Sequence, residues 1–283
     1  MSEGPLPVVY DRRRGAAHAR TADLPPGAVA PSELGPCDAT PVVLVHGLDG
    51  VAARDWFTAA PLLANLGLPV VTFSWTSDEP TLPCAGRLAA LVDEVAERTG
   101  SDRVDLVGHS WGAVLARAVV RLPEHAATSP LVRRLVGLAP TYAGTTLHGL
   151  AGLADHPRTE GARAWLDAHR PTWREQMAGS TVLDGLARPE LDAHDAHVAY
   201  TSIVTRFDQV VTPYRASLTA EPRAEAVVVQ DVCGSDLTDH VAITHDAVAL
   251  WHVVRALAPG REGRRPRGLV LPFVGGPASA STR

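Results

Sequence analysis

The stretch VDLVGHSWGA, residues 104–113, places a Gly-x-Ser-x-Gly pattern directly behind a short apolar run. The apolar run predicts a buried strand, and residues 111–122 predict a helix. Ser110 therefore falls in a sharp strand-to-helix turn, where a serine side chain projects above the sheet. Gly108 and Gly112 suit this turn, because its backbone is strained and the helix packs close to the strand. Ser110 is a candidate nucleophile, and the competing interpretation is a glycine-rich turn with a helix-capping serine.

Composition limits the classes of protein to which the chain can belong. Its 283 residues are 46% hydrophobic and 20% charged, which is typical of a globular protein with an ordinary core. A net charge of −5 argues against a nucleic-acid partner. No apolar run approaches the roughly 18 residues of a membrane-spanning helix. The start of the chain lacks the uninterrupted apolar core of a secretory signal, so the sequence as written predicts a cytoplasmic protein.

Strand and helix patterns alternate along the middle of the chain. Apolar residues recur at helical spacing over 88–95 ahead of Gly100, which suits a helix C-terminus, and further helices are predicted at 111–122 and 241–257. This alternation predicts an α/β fold, with a parallel sheet covered by helices on both faces. The predicted strands are 42–45, 70–73, 104–107, 135–138, 198–205 and 226–230.

Composition along the chain also suggests its division into segments. Residues 1–40 predict an irregular N-terminal arm, and residues 41–258 predict one α/β domain. Residues 144–197 interrupt the strand-helix rhythm and are interpreted as a small cap inserted over the sheet. Residues 259–283 predict a flexible tail, although the apolar stretch 269–274 could dock on the surface.

A nucleophilic serine needs a base and an acid, which in this fold follow it in the order acid, then histidine. Asp208 comes just after the fifth predicted strand, although aspartates are also common in turns. His240 lies in the loop after the last predicted strand, where the base is required. His245 and His252 are rivals that fall within the predicted helix. Together with the oxyanion donors described next, Ser110, Asp208 and His240 in this order predict that Ser110 is a nucleophile.

The oxyanion of the reaction needs two backbone N–H donors. Trp111 begins the helix behind Ser110, so its N–H is one candidate donor. Leu48 is the other, because the first predicted strand is followed at once by His46-Gly47-Leu48, in which Gly47 permits a tight turn. His46 is interpreted as a residue that orients this loop and not as the base.

No cofactor or metal is predicted. The run DAHDAH, residues 192–197, could offer His194 and His197 as ligands, but no further ligand cluster supports a metal site and a polar loop is favoured. Three cysteines permit one disulfide and an odd thiol, and their spacing fits no zinc pattern. Trp165, Trp173 and Trp251 either line an acyl pocket or pack in the ordinary way.

Several sequence blocks together resemble the class 2 lipases of the α/β-hydrolase superfamily, particularly their actinobacterial members. The blocks are PVVLVHG (41–47), VDLVGHS (104–110), LVGLAP with AGTT (135–146), YTSIVTRFDQVVTPY (200–214) and VQDVCGSDLTDH (229–240). The resemblance implies an α/β-hydrolase fold, hydrolysis of acyl esters without a cofactor, and export with disulfides. Position by position, it matches Ser110, Asp208 and His240 to the triad, and Leu48 and Trp111 to the oxyanion donors. Trp111 stands where relatives more often carry a polar residue, which suggests that it narrows the site or lines an acyl pocket.

The sequence therefore predicts a serine hydrolase acting on small-molecule or lipid carboxylic esters, with transient contact with a lipid interface. Two alternatives stay open. The same triad could act on a thioester, amide or polyester, or as an acyltransferase. A hydrolase-fold binding protein without catalysis is the other alternative. Secretion, implied by the resemblance, competes with the cytoplasmic location that the sequence as written suggests.

Overall fold

The computed structural model describes residues 8–146, 164–165, 168–219 and 222–276. Within them, six parallel strands form one sheet in the order β2-β1-β3-β4-β5-β6. The predicted α/β-hydrolase architecture is confirmed. The strands are β1 Val42–Val45, β2 Val70–Phe73, β3 Val104–His109, β4 Val132–Leu138, β5 Ala199–Val204 and β6 Glu225–Val228.

Helices cover both faces of the sheet. One apolar core lies under the two long helices on one face, and a second core lies under helices on the other face. The described helices are α1 Arg12–His18, α2 Ala52–Asp55, α3 Ala59–Asn65, α4 Thr81–Thr99, α5 Trp111–Arg121, α6 Pro171–Glu175, α7 Thr181–Leu186, α8 Ala216–Thr219, α9 Val229–Val232 and α10 Ala247–Leu257. Short 3-10 turns occupy Pro31–Glu33, Pro123–His125, Ser129–Leu131, Pro189–Leu191 and Ile243–His245. None of these helices is long and apolar enough to cross a membrane.

The aliphatic runs form central strands because both of their faces are buried. All four residues of β1 are buried between β2 and β3, with Val45 paired to Phe73 on one side and to Gly108 on the other. The chain leaves β1 towards β2 and later returns to β3 on the opposite side. This reversal opens a crevice at the carboxyl ends of β1 and β3, where open α/β sheets place their ligands.

Two predicted boundaries were wrong, one because of a contact with a distant loop and one because of a helix cap. The last strand ends at Val228, and α9 follows because the Gln230 side chain accepts Arg206 N–H and donates to Asp236 O, which turns the chain away from the sheet. The predicted helix over 241–257 begins only at Ala247. Asp246 caps it by accepting Ala249 N–H at 2.7 Å.

The N-terminal arm is not irregular throughout, which corrects the prediction. It contains α1, and Thr58 Oγ1 donates to Val9 O at 2.6 Å. The stretch 269–274 docks as suggested, since Leu237 N–H donates to Val270 O and Arg12 N–H to Val274 O. The arm and the tail therefore pack together beside the sheet.

The predicted cap lies partly outside the described residues, which leave out 147–163 and 166–167. Its described part contains α6 and α7 and is attached to α5 by Arg121, a buried arginine that pairs with Asp192 and Asp195. The boundaries proposed for arm, domain, cap and tail stay predictions.

A buried carboxyl pair lies in the loop that leads into α10. The carboxyl side chains of Asp236 and Asp246 interact electrostatically, and both are fully buried. Burial raises the pKa of Asp236, and burial together with the charge of Asp236 raises the pKa of Asp246 well above its ordinary value. The folded protein therefore holds a proton that the unfolded chain releases above about pH 4, so this pair lowers stability as the pH rises.

We expect Asp246→Asn to be more stable than the wild type at pH 8, by about 1 kcal/mol or more, because the amide is neutral at every pH and can keep the helix cap. The gain should shrink towards pH 4. Urea unfolding at both pH values measures it, with the exposed Asp102→Asn as the control variant. A variant that is less stable than the wild type at pH 8 would contradict this account.

Candidate active site

Ser110 occupies the turn between β3 and α5 in a backbone conformation that non-glycine residues rarely adopt, with φ 53° and ψ −122°. Its N–H donates to Leu138 O at 2.9 Å. A Cβ on Gly108 would lie 2.4 Å from Ala113 Cα, and a Cβ on Gly112 would lie 2.3 Å from Val45 O. The turn therefore requires glycine at both positions, as expected for a helix packed this closely on the sheet.

The structure brings Asp208 and His240 together. Asp208 follows β5 and accepts Val210 N–H and Val211 N–H on Oδ1, which holds the carboxylate in place. His240 Nδ1 lies 2.9 Å from Asp208 Oδ2. Since a carboxylate accepts, we assign the proton to Nδ1. His240 Nε2 then carries a lone pair and has no hydrogen-bond partner among the described residues.

Ser110 and His240 line the same cavity, which has a volume of about 260 Å³. They are not hydrogen-bonded to each other. Ser110 Oγ instead lies 3.3 Å from Thr141 Oγ1, a buried hydroxyl that sequence reasoning missed. Catalytic hydrogen bonds are often loose or absent in ligand-free structures and form with substrate, so this geometry is compatible with the predicted pair.

The loop after β1 has the features expected of an oxyanion site. Neither Leu48 N–H nor Trp111 N–H meets an acceptor within the described part of the chain, and Leu48 lines the cavity. His46 braces this loop, because its Nδ1 donates to Gly47 O at 2.9 Å and its carbonyl accepts Trp75 Nε1–H at 2.9 Å. Burial lowers the pKa of His46 and keeps it neutral.

The side chain of Trp111 does not line the cavity, so the suggestion that it narrows the site was wrong. It is fully buried, and its Nε1–H donates to Thr81 Oγ1 at 2.9 Å. Of the tryptophans that were candidates for an acyl pocket, Trp173 from α6 does line the cavity. Trp165 is exposed, and Trp251 donates to Gly263 O away from this site.

His109, which sequence analysis did not single out, connects the serine turn to the loop that carries His240. Its Nε2 lies 2.8 Å from the carbonyl oxygen of His240, and the two rings are 5.0 Å apart. Burial, reinforced by the neighbouring His240, lowers the pKa of His109 to about 3. Neutral His109 therefore donates to the His240 carbonyl and fixes the loop that carries the predicted base.

The rival histidines lie elsewhere. His245 Nε2 contacts Arg54 O at 3.0 Å, and burial lowers the pKa of His245 to about 4. His252 lies within α10. Neither residue is among those that line the cavity.

The run DAHDAH is engaged in structural contacts. The carboxylates of Asp192 and Asp195 bind Arg121, and His197 Nε2 contacts Ser129 O. Within the described ranges no cluster of three or more His, Cys, Asp or Glu side chains could hold a metal ion. The cysteines form no disulfide, and burial raises the pKa of the Cys84 thiol to about 11; the three are Cys37, Cys84 and Cys233.

A parallel sheet with a strained serine turn at its carboxyl edge and an Asp-His pair on the neighbouring loops defines an α/β-hydrolase type of protein. Residues 42–274 match the alpha/beta hydrolase family, and the chain belongs to that family. This match is to the wider family and does not show membership of the class 2 lipases. No curated protein matches the sequence.

Solved structures share this fold. Aspergillus fumigatus lipase B is similar with a TM-score of 0.62 and 18% identity, over 87% of this chain and 62% of that one. The mature Bacillus licheniformis lipase BlEst2 has a TM-score of 0.57 and 19% identity, over 77% of this chain and 91% of that one. A Listeria innocua gene product has a TM-score of 0.54 and 13% identity, over 82% of this chain and 99% of that one. The chain thus spans less than two thirds of the Aspergillus lipase, and at these identities the likeness concerns the fold.

We expect Gly112→Ala to lose about 2 kcal/mol or more of stability, because the new Cβ meets backbone oxygens of β1 and the adjoining His46 that cannot move aside easily. Urea unfolding midpoints measure the loss. Gly185→Ala is the matched control, since a Cβ there meets nothing within 4 Å and alanine favours the helix α7. An unchanged midpoint for Gly112→Ala would contradict the close packing of the serine turn.

Proposed function

We propose that this protein is a serine hydrolase that cleaves carboxylic esters with Ser110 as nucleophile, His240 as base and Asp208 as the acid that orients it. The observation that carries the proposal is the His240–Asp208 hydrogen bond of 2.9 Å, which leaves His240 Nε2 open in the cavity that Ser110 also lines. The chain's membership of the alpha/beta hydrolase family and the resemblance to class 2 lipases support it.

In the first half-reaction, the Ser110 hydroxyl leaves Thr141 and gives its proton to His240 Nε2 while Oγ bonds to the ester carbonyl carbon. The carbonyl π electrons move to the oxygen, which the N–H groups of Leu48 and Trp111 stabilise. Collapse of this intermediate breaks the bond to the alkoxy oxygen. His240 protonates the departing alcohol, and an acyl-serine remains.

In the second half-reaction, water gives a proton to His240 Nε2 and attacks the acyl carbon. The carboxylic acid departs and Ser110 regains its hydroxyl hydrogen. Throughout, Asp208 stabilises the imidazolium form of His240 and holds its tautomer, while His109 and His46 stay neutral because they are buried. Neither step needs a cofactor.

We expect Ser110→Ala to abolish hydrolysis of p-nitrophenyl butyrate, by about a thousandfold or more, because the nucleophile is lost. A fluorophosphonate probe should label the wild type and not this variant. Ser202→Ala, which removes from β5 a buried hydroxyl that has no hydrogen-bond partner among the described residues, is the matched control and should keep wild-type activity.

Activity that survives in Ser110→Ala would overturn the mechanism. Ester hydrolysis absent from the wild type, with probe labelling intact, would favour a thioester, amide, polyester or acyl-transfer substrate. Absence of both activity and labelling would favour a binding protein without catalysis.

The surface beside His240 supports the proposed contact with a lipid interface. Phe207 and Phe273 are 46% and 59% exposed. Both flank the loop of His240, since the backbones of Phe207 and Asp239 form an isolated β-bridge and Phe273 N–H donates to Asp239 Oδ2. Leu269 and Leu271 extend the exposed apolar surface.

We expect the double variant Phe207→Ser/Phe273→Ser to lower the ratio of palmitate to butyrate hydrolysis several-fold, with p-nitrophenyl palmitate presented in micelles. The exposed apolar surface beside His240 contributes to binding a lipid interface and not to binding a dissolved ester. Leu82→Ser, which removes an equally exposed side chain from α4, is the control. An unchanged ratio would mean that these phenylalanines do not contact the interface.

A further inference from the structure

Arg12, the first residue of α1, is part of the wall of the cavity that contains Ser110 and His240. Its Nε is buried from solvent and meets no hydrogen-bond partner in the part of the chain that the structure describes. Across the described residues the guanidinium forms neither an ion pair nor a side-chain hydrogen bond. A buried N–H donor without a partner is costly, so the half-buried Arg12 favours an acceptor from a ligand in the cavity.

The other charged side chains of the wall are already paired. Arg54 binds Asp55 with two hydrogen bonds, from Nε to Oδ1 at 2.5 Å and from Nη2 to Oδ2 at 3.0 Å. Despite burial, these bonds hold the pKa of Asp55 below its usual value, so the pair stays ionised. Asp49 accepts Arg170 Nη1–H at 2.9 Å. Arg12 is therefore the charge that the wall leaves unbalanced.

Backbone contacts hold Arg12 at this position. Its N–H donates to Val274 O at 2.8 Å, so the tail anchors the start of α1. One turn later, a Cβ on Gly15 would lie 2.6 Å from Arg54 O, which means that α1 packs directly on α2. Because the backbone is fixed at both points, the segment itself does not have to be ordered when the guanidinium binds an anion.

We propose that this cavity selects esters carrying a second, anionic group, a carboxylate or a phosphate, and that Arg12 binds this group. Planar guanidinium donors match the oxygens of both anions and form bidentate hydrogen bonds with them. Arg12 is thus a specificity-determining residue that the arm brings to a site built by the sheet. This inference rests on the proposed ester hydrolysis, and it names the substrate class for the same site.

The experiment compares anionic esters with neutral ones. On the alcohol side, 4-acetoxybenzoate and 4-acetoxyphenyl phosphate are each compared with the neutral methyl 4-acetoxybenzoate. On the acyl side, mono(4-nitrophenyl) adipate is compared with 4-nitrophenyl hexanoate. The readout is the ratio of kcat/KM for the anionic ester to that for its neutral partner, measured for the wild type and for Arg12→Gln.

We expect the ratio to fall tenfold to a hundredfold in Arg12→Gln for at least one pair, as for the loss of one charge-assisted contact. Arg12→Lys should retain part of the ratio. Arg14→Gln, an exposed arginine on the same helix, is the matched control and should keep the wild-type ratio. Equal ratios in the wild type and Arg12→Gln for every pair would overturn the inference while leaving ester hydrolysis established.

A binding measurement separates failure of the inference from failure of the proposed function. Calorimetry in the Ser110→Ala background, with and without Arg12→Gln, measures the Kd of 4-acetoxybenzoate, mono(4-nitrophenyl) adipate and 4-acetoxyphenyl phosphate without turnover. If no ester is hydrolysed by the wild type, the proposed function fails, and an Arg12-dependent Kd for any of the three still supports an anion site. Binding that is absent for all three, or equal in both variants, overturns it.

Discussion

The backbone of Ser110 is the constraint on which the rest of the site depends. At φ 53° it reverses the chain between β3 and α5, and this conformation persists only because its surroundings hold it. Gly112 lies against the carbonyl of Val45, so α5 packs directly on β1. The same contact brings the loop after β1 beside the serine. One packing arrangement therefore positions both the serine turn and the candidate oxyanion loop.

Loops from the carboxyl ends of four strands meet around this turn, and buried neutral histidines connect them. His109, next to the serine, donates to the carbonyl of His240 on the loop after β6. His46 ties the loop after β1 to Trp75, which follows β2. Burial lowers the pKa of both connecting histidines, so neither adds a positive charge beside the cavity near neutral pH. His240 differs from them in having Asp208 at one nitrogen and the open cavity at the other.

Segments outside the strand-helix core build the walls of the cavity. The cap contributes Trp173, whose Nε1–H donates to Asp49 Oδ2 at 3.1 Å and so joins α6 to the loop after β1. The N-terminal arm contributes Arg12. The sheet edge thus carries the groups proposed for chemistry, while the arm and the cap each add a side chain to the cavity wall.

The sequence by itself determined the α/β class, the serine turn and the order of Ser110, Asp208 and His240, because aliphatic runs, helical spacing and glycine-rich turns are local signals. The sequence did not predict where β6 ends or where α10 begins. A side-chain contact with a distant loop sets the first boundary, and the Asp246 cap sets the second. Only the tertiary structure decided that Arg12 and His109 reach the cavity. Their positions depend on contacts between segments far apart in the chain, and no local pattern encodes such contacts.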